Sequence, residues 1–195
     1  MALAVERLCG AESEPWLDAL AELRIRIFRA WPYLYDGSAD YERSYLADYA
    51  RSPGSVIVLA RNGREVVGCA TGLPLTDADA AFRQPFVAAG MAVDEIFYFG
   101  ESVLDTAWRG QGIGHRFFDE REAHARQAGF AVTTFCAVQR PVDHPLRPLD
   151  YRPLDSFWQK RGYHPGAGLV TRFAWKDIDQ PGETDKRMQF WLRGP

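Results

Sequence analysis

Cysteine is scarce in this chain. Cys9, Cys69 and Cys136 are the only three among 195 residues, widely spaced and without a CxxC pair. An odd, sparse set excludes a disulfide framework and points to a reducing compartment. The four histidines include no His-x-x-x-His pair. His115 and His124 lie nine apart on one predicted helix and so face opposite ways; no metal site is expected. No apolar run approaches the roughly 18 residues that span a bilayer. The opening residues, with Glu6 and Arg7, lack the charged and apolar regions of a secretory signal. A cytoplasmic protein without membrane association is the expectation. An excess of either charge is missing too: 23 Lys and Arg stand against 26 Asp and Glu, a net charge of −3, and the basic residues are dispersed. Nucleic acid needs a concentrated basic surface and is not an expected partner.

Apolar material is plentiful. At 47% hydrophobic and 13% aromatic the chain can bury a full core without disulfides or metals, and residues 1–195 read as a single domain. Leu-Ala-Val-Glu-Arg-Leu at 3–8 reads as a first strand. Ser13 is placed to cap a helix with Pro15 in its first turn, and Trp16, Leu20, Leu23 and Ile27 recur at helical spacing. That helix should end near Trp31-Pro32, because proline disfavours helix at the residue before it. Ser38 can cap a second helix with Tyr41, Tyr45 and Tyr49 on one stripe, stopped by Pro53-Gly54. Ser55–Arg61 and Glu65–Leu75 flank Asn62-Gly63, the signal of a tight hairpin. Residues 76–93 form a connection with room for a short helix at Ala78–Phe86. Glu95–Leu104 is predicted as a strand, 112–128 as a helix closed by Gly129, and Phe130–Val138 as a strand. A proline-rich loop, Pro141 to Pro153, leads to a short helix Leu154–Arg161, and Leu169–Trp175 and Met188–Leu192 read as closing strands. The order β-α-α-β-β-β-α-β-α-β-β describes a mixed α/β domain, not a regular βαβ array.

The chemistry concentrates in Glu101 to Gly114. A strand runs into the loop Arg109-Gly110-Gln111-Gly112-Ile113-Gly114, which opens a helix. Three alternate glycines let a ligand approach the backbone closely. The helix start offers unpaired N–H groups and a positive dipole end, and Arg109 adds a charge-assisted donor. A pyrophosphate is the matching guest. The segment is not a P-loop, since no lysine followed by Ser or Thr stands here. Nor is it a dinucleotide fingerprint, since the pattern is GxGxG rather than GxGxxG. Read as structure alone, the glycines would only make a strand-to-helix turn, which rarely needs three of them beside an arginine.

Arg-x-x-Gly-x-Gly, present as Arg109, Gly112 and Gly114, resembles the acetyl-CoA-binding loop of the GNAT N-acetyltransferase superfamily. The element order is similar to that superfamily over nearly the whole chain. The resemblance implies a central mixed, mostly antiparallel sheet flanked by helices. It also implies transfer of an acetyl group from acetyl-CoA to an amine by direct attack. Arg109, Gly110, Gln111, Gly112, Ile113 and Gly114 would hold the cofactor at its pyrophosphate. A bulge in the preceding strand would leave the N–H groups of Val103 and Leu104 facing the thioester and pantetheine, and Gly100 offers a place for one. Glu101 is the candidate base. Glu95 comes second, because alternation puts 95, 97, 99, 101 and 103 on one face unless a bulge reverses it. The plainer reading of Glu101 is an ion-paired carboxylate. The family's acid is a tyrosine in a pattern like Leu-Tyr-x-Lys-x-Gly-Phe. The matching stretch, Phe157 to Tyr163, puts Trp158 at that position, and an indole N–H is far too weakly acidic. The leaving thiolate then takes its proton elsewhere or departs unassisted, which a thiol of pKa about 8.5 permits.

In this superfamily the first helices line the acceptor side. Here that stretch is Trp31 to Gly37, with Tyr33 and Tyr35 as walls and Asp36 to attract a cation; capping the core is an equally good reading. His144, in Asp143-His144-Pro145, is a second candidate wall or base, on a loop long enough to be functional. The expected partner is a small-molecule or peptide amine, and an exposed sheet edge could pair two copies as a homodimer. A serine hydrolase using Ser102 is disfavoured, because GxSxG lacks its second glycine here and no helix follows at once. A non-catalytic acyl-CoA-binding or protein-interaction module would show acetyl-CoA binding without turnover.

Overall fold

The computed structural model describes residues 3–194. Residues 1, 2 and 195 of the single domain expected from sequence lie outside the described residues. Seven strands form one sheet in the order β1-β2-β3-β4-β5-β7-β6. They are β1 Leu3–Leu8, β2 Val56–Asn62, β3 Glu65–Pro74, β4 Ile96–Leu104, β5 Val132–Val138, β6 His164–Lys176 and β7 Glu183–Arg193. Neighbours are antiparallel except β4 and β5, which run parallel. Among the described residues five α-helices accompany them: α1 Leu17–Phe28, α2 Ala39–Arg51, α3 Ala80–Ala88, α4 Ile113–Gln127 and α5 Asp155–Lys160. The mixed, mostly antiparallel α/β architecture is the one the sequence implied.

Two apolar layers sandwich the sheet. Leu20, Leu23, Leu46, Tyr49, Tyr98 and Phe190 pack together on the α1, α2 and α3 side. Phe97, Phe99, Ile113, Phe117, Phe118 and Phe135 fill the α4 side. Each layer hides aromatic and branched side chains that strand alternation directs to opposite faces.

Several local expectations shift. Ser13 does not cap α1. Gly10–Trp16 form a 3-10 helix with Pro15 inside it, and Ser13 Oγ donates to the Gly10 carbonyl at 2.7 Å. Glu12 reaches back to the Cys9 N–H at 2.9 Å, starting the turn early, so α1 begins only at Leu17. The hairpin turn is Gly63-Arg64, one residue later than expected, because Asn62 pairs with Glu65; Gly63 supplies its φ of 63°. The short helix forms as α3, started by Asp79, whose carboxylate accepts from the Ala81 N–H at 2.8 Å. Ser38 caps α2 through the Tyr41 N–H at 3.3 Å. The tyrosine stripe turns inward at Tyr45 and Tyr49 but leaves Tyr41 58% exposed. β7 starts at Glu183 rather than Met188, since polar residues 183–187 pair with β6 without forming an apolar run.

Candidate active site

β3 and β4 pair as Gly68↔Leu104, Cys69↔Val103 and Ala70↔Ser102, then resume at Gly72↔Phe99. Gly100 and Glu101 therefore oppose Thr71 alone, which makes a β-bulge. Only glycine fits at 100, because an added Cβ would collide with the Tyr49 hydroxyl and Thr71 Oγ1. The bulge reverses the alternation. Phe97 and Phe99 face α4, whereas Val103 joins the α1 and α2 layer, where Glu101 meets Arg24 and Tyr45. Glu95 precedes the bulge in an exposed 3-10 turn and is not brought to Glu101.

Parallel pairing of β4 with β5 ends at Tyr98↔Thr134. Beyond it, among the described residues, β5 pairs only with β7 and the second edge of β4 has no strand partner. The Asp105 N–H bonds the Val67 carbonyl at 2.8 Å. Antiparallel alternation then turns Val103 toward Cys69 and directs the N–H groups of Ser102 and Leu104 into the open wedge. Of the two groups expected there, Leu104 points outward and Val103 does not; Ser102 takes its place.

Arg121 of α4 buttresses the bulge from behind. It is 1% exposed and donates to the carbonyls of Phe117, Thr71 and Glu101 at 3.0–3.1 Å and to Ser102 Oγ at 2.7 Å. Acceptors that the broken ladder leaves unpaired are thereby satisfied. Desolvation pushes its pKa down to about 10.

On the other face, Arg24 of α1 lies between two carboxylates. Its Nη1 is 2.5 Å from Glu101 Oε2, and its Nε bonds Glu42 of α2. The Tyr45 hydroxyl donates to the same Glu101 oxygen at 3.3 Å and meets the Tyr49 hydroxyl at 2.8 Å. Burial opposes the Arg24 charge, but Glu101, Tyr45 and Glu42 outweigh it and hold its pKa well above the usual value. Two carboxylates share one guanidinium. Among the described residues, Glu42 Oε1 and Glu101 Oε1 are buried with no hydrogen-bond partner.

The loop from β4 to α4 completes the arrangement. Gly110 and Gly112 have φ of 77° and 80°, the left-handed region that favours glycine, and among the described residues no atom beyond the adjacent ones lies within 4 Å of a Cβ built on either. Gly112 is the N-cap of α4 and provides no side-chain cap, so the first-turn N–H groups keep their capacity to bind an anion. Arg109 Nε donates to the Leu104 carbonyl at 3.2 Å, and the Gln111 amide to Ala107 at 3.3 Å, closing the loop on itself. The Ile113 side chain is 1% exposed in the core, so only its backbone can meet a ligand. An open, positively polarised cradle with an arginine beside it fits a diphosphate.

The four candidate acceptor residues gather around loop 31–37. The Tyr33 ring packs on Phe28 and Trp175, with centroids 4.6 and 6.0 Å apart. Burial, then the fields of Cys136 and Glu101, push its phenol pKa up. Tyr35 bridges to Asp177, and its ring lies across Gly37. Asp36 is already engaged by Lys176 at 2.8 Å and Arg29 at 2.9 Å. These bonds hold its carboxyl below the usual range, and it latches α1 to β6 rather than waiting for a cation. His144 packs on Trp31 at 5.1 Å. Trp158 is wedged against Phe135 and Trp191, each 5.0 Å away.

Comparisons with known proteins agree with this geometry. The family profile described as Acetyltransferase (GNAT) family matches residues 17–149. No curated protein matches the chain. Among solved structures, a ribosomal-protein-alanine N-acetyltransferase from Brucella melitensis is similar with a TM-score of 0.63 at 12% identity, over 98% of this chain and 99% of that one. An N-acetyltransferase from Staphylococcus aureus Mu50 gives 0.62 at 12%, over 98% of each chain. An IAA acetyltransferase from Bacillus cereus gives 0.57 at 13%, over 100% of each. At such identities the likeness is one of fold.

Proposed function

The chain belongs to the acetyltransferase (GNAT) family, and on that premise we propose that it moves an acetyl group from acetyl-CoA to an amine by direct attack. The observation that carries this reading is a single run of chain: a bulged strand with an open edge leads directly into a glycine loop at a bare helix N-terminus. Acetyl-CoA supplies a thioester whose carbonyl the amine attacks, the C–N bond forming as the C–S bond breaks. The N–H groups of the first turn of α4, with Arg109, hold the diphosphate. The outward N–H groups of Ser102 and Leu104 are donors for the charge that develops on the thioester oxygen. Glu101 takes the amine's proton at Oε1, while Arg24 and Tyr45 anchor Oε2. With Trp158 in its stack, the thiolate leaves without an acid from α5, which its low basicity allows.

Trp158 also favours a second reading, an acyl-CoA-binding module without turnover; an amine panel that includes a peptide with a free N-terminus decides between them. The cofactor itself is tested by thermal unfolding. At a hundredfold excess over its dissociation constant acetyl-CoA should add about 2.7 kcal/mol, a midpoint rise of about 5–10 °C for a chain of this size. NAD should give none. Gly112→Asp should fold, since aspartate tolerates positive φ better than most residues, yet it puts a negative charge in the cradle and should abolish the rise. No rise with acetyl-CoA or CoA would leave the loop as a turn and remove the basis of the proposal.

A further inference from the structure

Glu42 takes no direct part in the transfer, yet it is built into the same cluster as Glu101. It lies in the first turn of α2, where the positive end of the helix favours a carboxylate. It is 0% exposed, so no substrate can touch it. Its Oε2 accepts from Arg24 Nε, while Arg24 Nη1 meets Glu101 Oε2 at 2.5 Å. The two carboxylates thus hold different nitrogens of one guanidinium.

That guanidinium is nearly sealed from solvent. The Arg24 side chain is 7% exposed, and its Cζ lies 4.4 Å from the centre of the Tyr45 ring and 5.1 Å from that of Phe28. The other groups facing Glu101 offer Arg24 no anion. Tyr45 reaches Glu101 through a hydroxyl, and Tyr49 meets Tyr45 in the same way. Thr71 Oγ1 accepts from the Glu101 N–H at 3.3 Å. Arg121 is itself a cation and bonds the Glu101 carbonyl from the opposite face of the sheet. Neutralisation of Arg24 therefore falls to Glu42 and Glu101.

This matters when the base is used. As Glu101 takes the amine's proton its carboxyl becomes neutral, and an arginine paired with nothing else would be left buried and uncompensated. Removing one partner of a buried ion pair is strongly destabilising for that reason. The second carboxylate changes the outcome. The proton passes from the amine nitrogen to Glu101 Oε1, Glu42 stays ionised, and Arg24 stays charged and paired with it.

We propose that Glu42 is a positioning residue of the transfer reaction, acting through Arg24 to keep the guanidinium neutralised and in place while Glu101 carries the proton. The proposal rests on Glu101 being the base of the acetyl transfer. Glutamine at 101 mimics the protonated base, so the pairing can be read without turnover, from thermal unfolding. Glu101→Gln and Glu42→Gln should each lower the melting midpoint by no more than about 4 °C, the scale of one hydrogen bond in a chain of this size. Glu42→Gln/Glu101→Gln should lose about 6–20 °C, because Arg24 is then stranded. Adding Arg24→Gln to that pair should recover much of the loss, which damaged packing would not allow; the same recovery covers a double variant too unstable to isolate.

Kinetics supply the second readout. In acetyl transfer from acetyl-CoA to butylamine or to a peptide with a free N-terminus, Glu42→Gln should lower kcat about tenfold or more, with KM for acetyl-CoA unchanged. Arg24→Gln/Glu42→Gln should then be faster than Glu42→Gln, since a protonated Glu101 no longer strands a charge. A purely structural Glu42 would give the opposite order. Additive midpoints, or a native kcat in Glu42→Gln, would overturn the role of Glu42 and leave the acetyltransferase standing. A native kcat in Glu101→Gln would instead remove the base, and the proposal with it. If neither amine is acetylated, the midpoints decide alone: a loss beyond the sum upholds the pairing of Arg24 by Glu42, and an additive loss sinks it.

Discussion

Glu101 has one oxygen tied to Arg24 and Tyr45 and the other without a partner, a geometry that suits a base whose position must not wander. Substitution to glutamine separates that duty from simple packing. In Glu101→Gln, Arg24 still has Glu42, now one to one, so the helix pair should hold. The expected outcome is a kcat lower by about 10²–10⁴-fold with the acetyl-CoA-induced rise in melting midpoint intact, measured by steady-state kinetics and thermal unfolding. A kcat that survives would make Glu101 an anchor between α1 and β4 and nothing more. The polar residues around it leave a trace in the sequence. Arg24 follows Leu20 by four and precedes Ile27 by three, Glu42 precedes Leu46 and Tyr49, and Arg121 stands between Phe117 and Ala125. Each is a charge on a buried helical stripe, which signals a buried pair or carbonyl clamp. The identity of the partner stays hidden, because it depends on which helix crosses which strand.

At the scale of elements, β4 does most to form the site, and it divides into a legible half and an illegible one. The loop could be read because its demands fall on single residues: positive φ at Gly110 and Gly112, a charge at Arg109, a helix opening at Ile113. The wedge could not, and the bulge only in part: Gly100 offered a place for it, but not its effect on which N–H groups face outward. Both are properties of pairing, set by Thr71 facing two residues and by β5 leaving β4 for β7, and a one-residue change of parity decides whether Val103 or Ser102 faces the opening. Gly100 is where this can be probed. Gly100→Ala drives a methyl into the Tyr49 hydroxyl and should cost about 1–3 kcal/mol as overpacking. In a Tyr49→Phe background the nearest atom is gone, so the cost should shrink, with a coupling of about 0.5–3 kcal/mol in the double-mutant cycle. Urea unfolding of the four proteins measures it. Additive effects would show that the bulge does not rest on Tyr49.

Across the whole molecule every tyrosine sits in a setting that favours the neutral phenol, five of the eight within the two layers. The chain has eight, and burial, the leading cause in each case, raises the pKa of Tyr33, Tyr35, Tyr41, Tyr45, Tyr49, Tyr98, Tyr151 and Tyr163. A phenol that ionises later in the folded chain than in the unfolded one gives stability that is whole below the unfolded pKa of about 10 and is lost as pH rises toward the folded values. In that interval the native state holds more protons than the unfolded state, so stability falls with pH. Arg121 acts the other way. Its folded pKa of about 10 lies below that of an unfolded arginine, so above that point its buried charge ceases to penalise the fold. One guanidinium set against eight phenols should not change the direction. Alkaline titration followed by phenolate absorbance should therefore run above the curve of the urea-unfolded chain. Tyr41, the one exposed tyrosine of the eight at 58%, should ionise first and without loss of structure. The buried phenols should follow cooperatively, together with the far-ultraviolet circular dichroism. If all eight ionised at the ordinary value while the dichroism held, the packing of Tyr45, Tyr49 and Tyr98 between the helices and the sheet would be wrong, and with it the support that fixes Glu101.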